Sequence, residues 1–258
     1  MAPLIRLTLK AAHSIVVSHF SIVENSSFLL EVAEKCRIVP YGIDVEFWSS
    51  LNKAERDEAV RIRSLYPRLI VTTGRLVPYK GHDVLLRALR SVDGTLAIVG
   101  SGPLERQLRS RSVELGIASK VLFFGFQQQS ALKSLLHAAR AFALPSVSSA
   151  ESFGLAQVEA MAAGLPIINT KLPTAVPHVA RHELEAITVA PGDPTALAGA
   201  LCQLLDCRGR AETMGAAAKI RARQEFGRQP FLAMIGQIYK EAVNSTATAY
   251  DRSASGET

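Results

Sequence analysis

The sequence predicts an α/β protein in which a parallel β-sheet carries helices on both faces. Three observations lead there. From Arg68 onward, short apolar runs alternate with stretches of helical period, the pattern of strand–helix–strand units joined by right-handed crossovers. Several of these runs end in loops bearing glycine, the places where open parallel sheets bind ligands. A hydrophobic content of 48% in 258 residues is ample for a packed core.

The elements follow in order. RLIVTTG from Arg68 is a strand, and a helix spans His82 to Leu89. TLAIVG precedes the helix LERQLRSRSVELG, and VLFFGF precedes ALKSLLHAA. AFALP, Ala141 to Pro145, reads as a buried strand end, SSAES as a polar loop, and FGLAQVEAMAAG as a helix stopped by Gly164. LPIINT and AITVAP supply two further strands. Asp193 is an N-cap and Pro194 the first helical residue of DPTALAGALCQLL. Arg208 to Glu225 and Gln229 to Val243 are closing helices. Before this unit, residues 1–37 hold a helical pattern, a strand-like Ser14 to Ser18 and an amphipathic SFLLEVAEKC, too little for a domain. Arg37 to Trp48 reads as a strand and a Tyr-Gly turn, and SLNKAERDEAVRIRSLYP as a charged linker. The expected division is therefore 1–37, a main domain over 38–228, a closing helix over 229–243 and a disordered polar tail over 244–258.

The net charge of +6 and pI near 9.4 suit an anionic ligand or surface. The cations are spread along the chain and aromatics make up 6%, so no nucleic-acid partner is expected. Cys36, Cys202 and Cys207 have neither disulfide-framework nor zinc spacing, and a reducing cytoplasm is the expected location. No apolar run is long enough to span a bilayer. The start, with Arg6 and Lys10 ahead of a short apolar AAHSIVV run that His13 and His19 interrupt, does not read as a signal peptide.

The chemistry gathers around Ala143 to Thr170, where seven residues separate Glu151 from Glu159. Glu151 lies in a strand-end loop. Glu159 sits at the margin of the helical stripe Leu155, Val158 and Ala162, where a carboxylate needs a cation or hydroxyl partners. The backbone N–H groups of Phe153, Gly154 and Leu155, near the helix N-terminus, favour an anion. In GRLVPYKG, Gly74, Arg75 and Lys80 precede another helix start, an arrangement that suits a diphosphate. Gly100 and Gly102 of IVGSGP allow close backbone approach. Neither loop is a Walker loop or a dinucleotide fingerprint. His82 reads as a helix-start residue. The four-residue spacing of His178 and His182 could place both rings on one helix face, but no third metal ligand is evident.

GRLVPYKG, IVGSGP, VLFFGF, LPSVSSAESFGLAQVEAMAAGLPII and APGDP, in this order, resemble the carboxyl-terminal domain of retaining glycosyltransferases of family 4, with the GT-B fold. The resemblance covers about Arg37 to Val243. It implies a Rossmann-like domain that holds a nucleotide-sugar such as a UDP- or GDP-sugar, and no other cofactor. By the resemblance, Arg75 and Lys80 hold the diphosphate, Glu151 a hydroxyl of the donor sugar, and Glu159 the ribose diol. Gly74, Gly102 and the backbone at Phe153, Gly154 and Leu155 complete the donor contacts, and Gly125 and Phe126 lie near the base. The absence of Asp-x-Asp fits metal independence. His178 and His182 stand where such enzymes more often have a glutamate and an aspartate. Residues 1–37 look like the remnant of an amino-terminal acceptor domain. That fits a truncated enzyme or one half of a split enzyme completed by a separate chain, and the family resemblance implies polysaccharide or lipid-linked sugar assembly in the cytoplasm, with contact at the cytoplasmic face of a membrane. A non-catalytic nucleotide-sugar-binding module, an inactive fragment and a nucleotide-sugar epimerase stay open as alternatives.

Overall fold

The structure, a computed structural model, describes residues 2–254, with side chains for 2–244. The chain begins with α1 (Ala2–Ala11), β1 (Ile15–Val17), α2 (Phe20–Glu24), α3 (Ser27–Leu30), β2 (Cys36–Ile38), α4 (Val45–Ser49) and α5 (Lys53–Leu65). The regular alternation follows as β3 (Leu69–Thr73), α6 (His82–Leu89), β4 (Thr95–Val99), α7 (Glu105–Glu114), β5 (Val121–Gly125), α8 (Gln129–Ala138), β6 (Ala141–Ala143), α9 (Leu155–Ala162) and β7 (Ile167–Thr170). It ends with α10 (Val176–Val179), β8 (Ala186–Val189), α11 (Pro194–Asp206), α12 (Arg208–Glu225) and α13 (Arg228–Ala254). Residues 43–224 form one compact unit; residues up to 42 and from 225 form another.

The larger unit is the α/β fold the sequence predicts. Its six strands run parallel in the order β5-β4-β3-β6-β7-β8. Every residue of β3, β6 and β7 is buried, as parallel strands covered by helices require. Strand order reverses between β3 and β6, so the loops leaving those two strands diverge and open a crevice at their carboxyl ends. Asp193 caps α11 by accepting from Thr195 N and Ala196 N, each at 2.9 Å, with Pro194 at the first helical position.

Two segments differ from expectation. The charged stretch read as a linker is helix α5. Asn52 and Glu55 close a capping box at its start, and Glu55 is buried against Lys133 Nζ of α8 at 2.8 Å. The strand expected over Arg37 to Trp48 stops at Ile38, and α4 begins after Asp44, whose side chain accepts from Phe47 N at 3.0 Å.

In the smaller unit, β1 and β2 pair in parallel, Ile15 opposite Cys36. No residue of α1 is buried. The tail expected to be disordered from 244 continues α13 to Ala254, because no proline or glycine interrupts the chain between Gly236 and Gly256. Residues 255–258 of that tail lie outside the described residues.

Candidate active site

The crevice is built by loops that only glycine permits. Gly74 and Gly100 follow β3 and β4 with φ of 139° and 135°, and a Cβ on Gly100 would come 2.0 Å from Gly74 O. A Cβ on Gly102 would meet Leu76 O at 2.5 Å. This close approach lets the loops stitch together: Leu76 N donates to Ser101 O at 3.0 Å, and Leu104 N to Leu76 O at 3.1 Å. Beside them lies a cavity of about 600 Å³, within the range that holds a small organic ligand. Gly74, Arg75, Gly102, Phe126 and Glu159, all candidates from the sequence, line it together. Arg75 is exposed, and Phe126 stands at 79% exposure.

Glu159 is half-buried in this wall, and its carboxyl has no hydrogen bond or ion pair among the described residues. Loss of water around it pushes its pKa up to about 7. An unpartnered carboxyl facing an open cavity is suited to accept hydrogen bonds from ligand hydroxyls.

Lys80 and Glu151 stand apart from that lining. Lys80 Nζ lies 2.6 Å from Glu151 Oε2, the side chains being 12% and 9% exposed. Ser146 Oγ donates to the same oxygen at 2.9 Å, and Thr170 Oγ1 donates to Ser146 O at 2.6 Å. The pair joins the loop after β3 to the loop after β6, across the reversal of strand order. It also borders the cavity, since a Cβ on Gly74 would sit 3.4 Å from Lys80 Nζ.

Gly154, at φ 76°, is the N-cap of α9 and offers no side chain to the first-turn amides. Phe153 has a buried side chain, 3% exposed, so only its backbone can meet a ligand, whereas Leu155 is 43% exposed. His82 begins α6 as expected, but its ring is 3% exposed and neither nitrogen makes a hydrogen bond among the described residues. Burial lowers its pKa to about 4. The nearby charge of Lys80 adds to the effect, and the Arg75 backbone, close but not in hydrogen-bonding geometry, opposes it.

His178 and His182 do not share a helix face. α10 ends at Val179, and His182 lies on an isolated bridge, accepting from Thr188 N at 3.0 Å. Sequence reasoning missed Thr73, Val99, Gln127, Leu132 and Ala156 in the cavity wall. Ala156 was the readable one, three residues before Glu159 on the same helix face. A second hollow, about 700 Å³, includes none of these residues; its lining includes Arg87, Arg111 and Ala198.

The chain is 31% identical over 224 residues to the D-rhamnosyltransferase WbpZ of Pseudomonas aeruginosa, covering 87% of this chain and 58% of that protein. It is 32% identical over 197 residues to a GDP-mannose-dependent alpha-(1-6)-phosphatidylinositol monomannoside mannosyltransferase of Mycobacterium tuberculosis, covering 72% of this chain and 51% of the relative. The chain thus spans about half the length of these relatives. Two solved structures share the fold. Anabaena HepE in complex with UDP superposes at TM-score 0.80 with 20% identity, over 93% of this chain and 66% of that one. Sucrose-phosphate synthase of Thermosynechococcus elongatus superposes at 0.82 with 23% identity, over 93% and 61%. Residues 55–221 match the family described as glycosyl transferases group 1, and the chain belongs to that family.

Proposed function

We propose that this chain is the donor-binding part of a retaining, hexosyltransferase-type glycosyltransferase that moves a sugar from a nucleotide-sugar to a glycan or lipid-linked acceptor. The observation that carries the reading is the convergence of Arg75 and the unpartnered Glu159 on one cavity at the strand ends, bordered by Lys80. Glu159 accepts from the ribose diol, and Arg75 and Lys80 hold the diphosphate. Glu151 faces a sugar hydroxyl, with Lys80 shared between it and the phosphate. Phe126 supplies an apolar face to the base, and the first amides of α9 complete the contacts with sugar and phosphate. Charge develops on the diphosphate as the anomeric bond breaks, so preorganised cations and amides lower the barrier by stabilising that charge. We assign this role to the side chains rather than to a metal.

Acceptor binding and closure over the donor belong to a further body. The two-stranded ladder β1–β2 supports this, because parallel strands are rarely stable as a pair and Val16 and Ile38 are 47% and 48% exposed. That body is either more of the same polypeptide or a separate chain. No helix among the described residues is long and apolar enough to cross a membrane, and we assign any membrane contact to the basic surface. The direct test of transfer is to supply the amino-terminal half of a relative and follow the product's anomeric configuration by NMR. A product of inverted configuration contradicts retention. Nucleotide-sugar binding without transfer leaves the non-catalytic module as the better reading.

A further inference from the structure

Behind the cavity wall, three side chains that the donor contacts do not use form a continuous polar chain. Gln157 on α9 and Asn169 on β7 are each 0% exposed. Gln157 Nε2 donates to Phe153 O at 3.0 Å and Val176 O at 3.2 Å, and its Oε1 accepts from Asn169 Nδ2 at 3.2 Å. Asn169 Nδ2 also reaches Val176 O at 3.1 Å and Ala180 O at 2.9 Å, and its Oδ1 accepts from Thr188 Oγ1 of β8 at 2.7 Å. Only one orientation of each amide satisfies these partners, so both are fixed.

Phe153 O, which Gln157 holds, belongs to the turn that carries Gly154 and the first amides of α9. Val176 O and Ala180 O belong to the segment after β7. Ala175 N donating to Ser152 O at 2.9 Å ties the same two segments a second time. Gly154 leaves no slack, because a Cβ there would come 2.6 Å from Leu144 Cδ2 and 2.9 Å from Gln157 Nε2. Buried amides satisfied this fully set one geometry, and removing one strands the carbonyls it served.

We propose that Gln157, Asn169 and Thr188 form a clasp that positions the Phe153–Leu155 turn for the sugar portion of the donor, without touching the donor themselves. The inference rests on the donor-site reading above and adds to it the residues that decide discrimination between a nucleotide-sugar and the bare nucleotide. The turn's amides add to the phosphate contacts, but Arg75, Lys80, Phe126 and Glu159 hold the nucleotide without them, so loss of the clasp weakens the sugar conjugate more than the nucleotide.

The test compares the full chain with Gln157→Met, which keeps side-chain volume but removes the amide, and with Thr188→Val, which cuts the clasp at its half-buried far end. Two readouts are taken: amide hydrogen exchange over residues 153–156, and calorimetric affinity for UDP, UDP-glucose, GDP and GDP-mannose. The clasp predicts exchange about tenfold faster in Gln157→Met. For whichever nucleotide the wild type binds, it predicts the sugar conjugate weakened about tenfold and the nucleotide itself changed less than about twofold. Thr188→Val shifts both readouts in the same direction by less, and decides the matter where Gln157→Met does not fold. Exchange and both affinities at wild-type values overturn the clasp. Equal weakening of nucleotide and conjugate also overturns it, since that marks a general structural role. A wild type that binds no nucleotide refutes the donor-site reading instead, while the exchange rates still report on the turn.

Discussion

Lys80 Nζ is 2.6 Å from Glu151 Oε2, so the cation expected on the diphosphate and the carboxylate expected on the sugar hold one another across the reversal of strand order. The two residues therefore act as one unit. Lys80→Met leaves Glu151 buried without its cation and is expected to lower stability by about 3 kcal/mol, read by urea denaturation. Glu151→Gln in the same background restores much of that loss. Equal losses from Lys80→Met in both backgrounds would show that the pair is not coupled.

Glu159 should make donor binding pH-dependent. Its carboxyl, raised to about 7 in the free protein, is stabilised as a carboxylate when ligand hydroxyls donate to it, so binding releases a proton. Affinity rises with pH from 5.5 and levels off above about 7, by up to about tenfold per unit. For the free protein the sign is opposite: the stability tied to the neutral acid is present below the usual carboxylate range and is lost as pH rises through about 7. Calorimetry in buffers of different ionisation enthalpy measures the proton count, and Glu159→Gln abolishes the pH dependence.

His82 sets the acid limit of stability. A ring held neutral with its pKa at about 4 contributes stability above the ordinary histidine range that is lost as pH falls from about 6.5 through 4. The shift corresponds to about 3 kcal/mol, as an order of magnitude. Denaturation curves of wild type and His82→Phe should converge in pH dependence at neutral pH and separate below 6. Parallel curves down to pH 4 would contradict the assignment.

Gly81 is the least replaceable residue of the Lys80 loop. Its φ is 69°, and a Cβ there would lie 1.9 Å from Pro145 O, a backbone atom. Gly81→Ala is expected to cost about 2–4 kcal/mol and to weaken nucleotide binding, because relief of the clash displaces Lys80 from Glu151. A melting temperature within about 1 °C of wild type would contradict this.

If side-chain cations carry the leaving-group charge, EDTA leaves nucleotide affinity unchanged within about twofold, while Arg75→Ala lowers it by at least about tenfold. A chelator effect that added magnesium or manganese reverses contradicts that assignment.

The sheet was legible because parallel strands announce themselves: LIVTT, TLAIV and IINT are apolar runs of strand length bounded by glycine or polar turns. α6 and α12 have the limits their periodicity predicts. α5 was misread through its charge density, although Asn52 and Glu55 carry a capping signal that composition obscures. Gly74, Arg75 and Gly102 were legible as ligand-loop residue types at strand ends, Glu159 as a carboxylate at the margin of an apolar helical stripe, and Phe126 only through the family resemblance. Gln127 and Leu132 were not legible, because their place in the wall depends on how α8 and the loop after β5 pack. The Lys80–Glu151 contact was hidden for a similar reason, since it joins residues 71 apart in sequence, and so was the environment that moves His82 and Glu159 away from ordinary titration.

The most direct test of the donor-site account is calorimetric titration of the chain with UDP, GDP, ADP and their common sugar conjugates, repeated with Arg75→Ala and Glu159→Ala. One nucleotide and its conjugate are expected to bind, and each substitution to weaken binding by at least about tenfold without lowering the melting temperature. Affinity unchanged in both variants, or no binding by a wild type shown to be folded, would contradict it.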